Sequence, residues 1–224
     1  MMQNKVINKP LLNTWDYKQD AGDWDIQLGS EFICNSEEQQ KKSYIKAVKM
    51  TLDTFYNFAR AYQISIISVP NSSSKLGRIS VQWQQEEEYK KYIERTLIRI
   101  NNYPDKIYEV EIKVDLNVFI YTEKNPKELI QAWVRHFDES LEMGEFSIDI
   151  QTEENDPSAR FFIEHTLFYP FSYQNNEDNT KLFKLNQPLL EEALKNWEQK
   201  FDAEIEADGL TGVYKYGYLS PDRW

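Results

Sequence analysis

The alternation in chemistry within residues 107–121 constrains the chain more than any other feature. Tyr108, Val110, Ile112, Val114, Leu116, Val118 and Ile120 are apolar, while Glu109, Glu111, Lys113, Asp115 and Asn117 between them are polar. Successive side chains of an extended chain point to opposite sides, so the segment is a β-strand with one buried and one wet face. At about 3.4 Å per residue it reaches roughly 50 Å, longer than most strands. That length fits one strand serving two packed units.

The remaining elements follow from periodicity. Trp24, Ile26, Leu28, Phe32 and Cys34 share one parity and predict a strand over 24–34. Ser36 with Gln39 forms a capping-box pair, and Ile45, Val48, Leu52, Phe55, Ala59 and Tyr62 then stripe a helix over 37–62. Strands over 64–69 and 78–84 flank a turn-rich loop. Tyr89, Ile93, Leu97 and Ile100 mark a helix that Pro104 terminates. Beyond the long strand, Asn125-Pro126 opens a helix with Leu129, Ile130, Trp133, Phe137 and Leu141 on its inner face. Strands near 146–150 and 159–168 come next. Leu190, Leu194, Trp197, Phe201 and Ile205 define a last helix, and Tyr214, Tyr216 and Tyr218 a final strand.

The expected fold class is α+β, an antiparallel sheet with helices on one face. Counting the long strand twice gives two tandem ferredoxin-like βαββαβ units that share it. Residues 1–22 are then an N-terminal extension, 23–114 the first unit and 115–224 the second. A single continuous sheet carrying four helices is the alternative. One-sided alternation argues against a doubly wound parallel sheet.

The charge balance narrows the choice of partners. The chain has 37 acidic and 26 basic side chains, a net charge of −11. It lacks the basic surface that displaces phosphate counterions, so neither nucleic acid nor an anionic membrane is an expected partner. A basic protein would be steered toward it. One cysteine, Cys34, leaves no internal disulfide and no zinc site built on several thiolates. No run approaches the roughly 20 apolar residues of a membrane span, and residues 1–14 lack a signal-peptide core, so a cytoplasmic location is expected.

Catalytic signatures are missing. The sequence contains no glycine-rich phosphate loop, nucleophile elbow, HExxH or CxxC, so no cofactor is expected and catalysis is disfavoured. Packing of the 125–141 helix over the 159–168 strand would let His136, Asp138 and His165 meet as a two-histidine-one-carboxylate metal site. The alternative function is therefore a small metal-binding protein or enzyme. Glu204-x-Glu206-x-Asp208-Gly209 resembles the opening of a calcium loop, but Lys215 stands where its bidentate glutamate belongs. Two surfaces are candidate partner sites. One is the polar strand face of Glu109, Glu111, Lys113 and Asp115; the other is the aromatic C-terminal stretch of Tyr214, Tyr216, Tyr218 and Trp224. The expected function is non-catalytic binding of a basic protein, in the manner of an immunity protein or acidic inhibitor.

Overall fold

The structure, a computed structural model, describes residues 21–68, 79–80, 86–122, 125–135, 144–150, 156–164, 166–172, 177–209 and 212–219. In chain order these form β1 (Ala21–Gln27), a 3-10 turn (Ser30–Phe32), α1 (Glu37–Thr54), β2 (Ala59–Ile67), β3 (Ile79–Ser80) and α2 (Glu86–Asn101). Then follow β4 (Glu109–Thr122), β5 (Asn125–Val134), β6 (Gly144–Asp149), β7 (Ser158–Glu164) and a second 3-10 turn (Thr166–Phe168). β8 (Phe171–Ser172), β9 (Glu177–Asp178), α3 (Thr180–Phe201), β10 (Ile205–Gly209), β11 (Val213–Tyr214) and β12 (Gly217–Tyr218) complete the set. The first 20 residues of the expected N-terminal extension lie outside the described residues.

The alternating segment is β4, and its length has a physical cause. Eight strands form one antiparallel sheet in the order β10-β1-β7-β6-β4-β2-β3, with β5 also paired to β4. The first half of β4 lies between β2 and β6. Leu116 stands opposite both Ala59 of β2 and Val134 of β5, so β5 occupies the edge away from β2. β5 and β6 thus lie end to end along β4, separated where the chain leaves after Val134 and returns at Gly144, opposite Val114.

This order corrects the tandem ferredoxin-like expectation. In a βαββαβ unit the first and third strands are parallel neighbours. Here β1 sits between β7 and β10, no strand pair among the described residues is parallel, and β3 is the far edge. The halves 23–114 and 115–224 interleave in one sheet. What holds is the coarser class: mixed α+β with an antiparallel sheet and, among the described residues, three helices.

Cross-strand registers show how the core is built. Directly opposed residues share a face. One row runs Ile205–Ile26–Ala159–Ile148–Val110–Ile66, and the next runs Ala207–Trp24–Phe161–Phe146–Ile112–Ile64. Apart from the edge residue Ala207, all are buried. Phe55, at the end of α1, and Trp197 of α3 lie on these rows, Phe55 at 4.8 Å from Phe146 and 4.9 Å from Phe161 between ring centroids. α1 and α3 therefore cover this face, while α2 runs beside α1. The Ala61 N–H of β2 donates to the Tyr89 hydroxyl of α2 at 3.3 Å, so α2 closes the β2 edge.

Two adjacent amides of α3 hold the rest of the fold. Past Leu116, β4 has no β2 residue beside it. There Asn186 accepts from the Phe119 N–H at 2.7 Å and donates to the Phe119 carbonyl at 3.0 Å, as a neighbouring strand would. Gln187 accepts from the Tyr218 N–H at 3.0 Å and donates to the Tyr216 carbonyl at 2.9 Å, gripping the β11–β12 hairpin.

Further expectations change, among them the strand over 24–34, which ends at Gln27 before the 3-10 turn of Ser30–Phe32. Residues 125–134 are strand, not helix: Leu129 and Trp133 face one way and Ile130, Ala132 and Val134 the other, a spacing both periods tolerate until β4 supplies the hydrogen-bonding partner. The first helix ends at Thr54, since Ala59 onward is drawn into pairing with β4 and Tyr62 falls at a bulge. The last helix gives way to β10 before Ile205, which pairs with Ile26. The tyrosine stretch is a hairpin that turns through Lys215 and Tyr216 into Gly217 (φ 121°) rather than one strand.

Candidate functional site

The face opposite the helices carries its own rows. The register aligns Glu206–Asp25–Arg160–Ser147–Glu111–Ser65 across six strands, and next to it Asp208–Asp23–Phe162–Glu145–Lys113–Gln63. Six carboxylates (Asp23, Asp25, Glu111, Glu145, Glu206 and Asp208) thus stand against two cations, Arg160 and Lys113. Like charges meet directly at Asp25–Glu206 and Asp23–Asp208, an arrangement that costs stability. Arg160 relieves one of them by donating from Nε to Asp23 at 2.6 Å. Asp25 keeps its strain: burial and the nearby Asp208 and Glu206 carboxylates hold its carboxyl above the ordinary range.

The four β4 residues expected to bind a partner divide in two. Glu109, Glu111 and Lys113 are half-buried on this face, with Glu109 accepting from the Ser147 hydroxyl. Asp115 is on the same face but fully buried, and both its oxygens accept from Arg135, each at 2.7 Å. Arg135 stands where β5 ends, and its guanidinium lies 4.2 Å from the Tyr62 ring. Burial pushes the Asp115 carboxyl up to about 6 against the pull of Arg135, and pushes the Tyr62 hydroxyl up to about 12. Opposite Asp115, Arg60 is buried with its guanidinium 4.2 Å from Tyr56 and 4.5 Å from Trp133. This group is a structural clamp that closes Asp115 and Arg60 off from solvent.

The tyrosines are docked on their own chain. Tyr218 is buried edge-on against Trp24 (5.8 Å) and Tyr169 (5.7 Å). The Tyr214 carbonyl accepts from Trp24 Nε1 at 3.0 Å, and the Tyr216 hydroxyl bonds Glu198. Tyr214 and Tyr216 remain half-exposed. Trp224, His136, Asp138 and His165 lie outside the described residues. β5 takes the place of residues 125–134 of the helix expected to lead to His136. Among the described residues no three histidine, cysteine or acidic side chains are placed to hold a metal ion, and no helix is long and apolar enough to cross a membrane. Cys34 is buried, its thiol donating to the Phe32 carbonyl at 3.1 Å.

Asp23, Asp25, Glu145, Glu206 and Asp208 were not anticipated as parts of this face. A signal existed for two of them. Acidic residues at 204, 206 and 208 alternate, which is strand periodicity on an edge, and β10 is that strand. Compared with family models, curated proteins and solved structures, the chain matches none.

Proposed function

We propose that this protein is a non-catalytic binding module whose partner is a basic protein, engaged through the helix-free face of the sheet. The observation that supports this most is the pair of rows with six carboxylates against two cations. Sequences rarely keep opposed like charges on a sheet without compensation. A cationic surface laid across β10, β1 and β4 would supply that compensation and would be steered in by the charge of the whole chain. Glu109, Glu111 and Lys113 belong to this contact, and the exposed Glu206 and Asp208 form its outer edge.

Binding of a short all-lysine peptide, followed by calorimetry across ionic strength, tests the assignment. Neutralising Asp25, Glu109, Glu111 and Glu206 to their amides should weaken binding by about tenfold or more and flatten its salt dependence. Neutralising Glu37, Glu87, Glu94 and Glu192, exposed on the helices, removes the same charge and should change it far less. Equal losses from the two sets would show attraction by net charge alone and sink the proposal.

A further inference from the structure

The wet face of β4 is not polar throughout. After Asn117 the same parity carries Phe119 and Tyr121, both half-buried, and β5 places Leu129 opposite Tyr121. The arm formed by the end of β4 and β5 therefore carries apolar side chains on both sides, with the exposed Gln131 opposite Phe119 on the outer one. On its inner side Val118 and Ile120 are buried, and Ile130 and Ala132 of β5 are half-buried. Its outer side leaves Phe119, Tyr121 and Leu129 partly open, and β5 pairs only with β4 among the described residues. Asn186 holds both backbone groups of Phe119 and so restrains the arm at that residue. Side chains on a fixed backbone lose little freedom on binding, the condition under which a few aromatic anchors dominate an interface.

We propose that Phe119, Tyr121 and Leu129 are the apolar anchor of the interface, receiving hydrophobic side chains of a basic protein whose cations lie along the adjoining carboxylate rows. This rests on the binding face proposed above. Charge selects the occupant. From Tyr121 back along β4 the same parity passes Phe119, Asn117 and the sealed Asp115, and then reaches Lys113 and Glu111 in the carboxylate rows and Glu109 beyond them. A protein that covers both regions must therefore be cationic beside its apolar contact. A second copy of this chain would instead bring a further −11 onto an acidic face.

Two peptides of equal length separate the anchor from the charge, one all lysine and one alternating lysine and leucine. The alternating peptide should bind the full chain about tenfold tighter. Replacing Phe119, Tyr121 and Leu129 by serine should erase that preference and leave all-lysine binding unchanged. A preference that survives in the variant overturns the anchor. Failure of the all-lysine peptide to bind the unaltered protein overturns the underlying face instead. If circular dichroism shows the triple variant unfolded, Leu129→Gln alone is used and should at least halve the preference; an unchanged ratio refutes the anchor. Dimerisation of the unaltered protein in sedimentation, abolished by Leu129→Gln, would make a second copy the occupant and overturn the proposal.

Discussion

Replacing Asn186 by leucine tests whether one side chain substitutes for a missing strand. Asn186 is fully buried, and it satisfies the Phe119 N–H at 2.7 Å, the Phe119 carbonyl at 3.0 Å and the Leu167 carbonyl at 3.3 Å. Leucine has similar bulk but no polar atom, so all three backbone groups lose this partner. A buried group left without a hydrogen bond costs about 1–3 kcal/mol, with the better-hydrated of the three at the low end. The extra apolar burial of leucine returns roughly 1 kcal/mol. The net loss should be at least about 2 kcal/mol, a large part of a typical domain stability of about 5–15 kcal/mol. Urea unfolding followed by the fluorescence of buried Trp24 and Trp197 measures it, and hydrogen exchange should show the Phe119 amide losing protection first. A loss below about 1 kcal/mol with an unchanged m-value would refute the reasoning, since β4 would then hold its free edge without α3.

Other outcomes follow from the same geometry. Gly217→Ala places a Cβ within 2.8 Å of the Gln187 amide at a φ of 121°, so it should cost about 2–3 kcal/mol and expose Tyr218 in near-ultraviolet dichroism. Arg135→Met leaves Asp115 buried without its charge partner and should cost about 3–5 kcal/mol at neutral pH. Arg135 holds the Asp115 carboxyl down to about 6 against its burial, so without Arg135 the carboxyl takes up a proton at a higher pH, and this penalty should shrink as pH falls toward about 6, level off below it, and grow as pH rises. Asp25→Asn removes a strained carboxylate and should stabilise by about 0.5–1 kcal/mol at pH 7. Because the folded chain holds the Asp25 proton more tightly than the unfolded one, that advantage should fade on acidification, as urea midpoints at two pH values would show.

Much of the fold was legible because it depends on local periodicity. The alternation of 107–121 specified a strand and which of its faces is buried. Ser36 and Gln39 specified a helix start, and the Gln39 N–H does donate to the Ser36 hydroxyl at 3.3 Å. The stripe through Leu190, Leu194 and Trp197 specified α3. The β4 portion of the candidate face was legible for the same reason, since parity alone puts Glu109, Glu111 and Lys113 on one side.

The rest depends on which strand lies beside which. Residues 125–134 satisfy helical and extended spacing equally, and only the hydrogen bonds from Leu116 to Thr122 make them a strand. Acidic residues at 206 and 208 became part of a face when β10 found β1, and Tyr218 became core when Trp24 and Gln187 reached it. Asp115 has the same parity as Glu111, yet it is sealed because the chain turns away beside it and delivers Arg135. Periodicity reports how a segment presents its own side chains. The neighbour that supplies its hydrogen bonds and charges is distant in sequence, and only tertiary packing selects it.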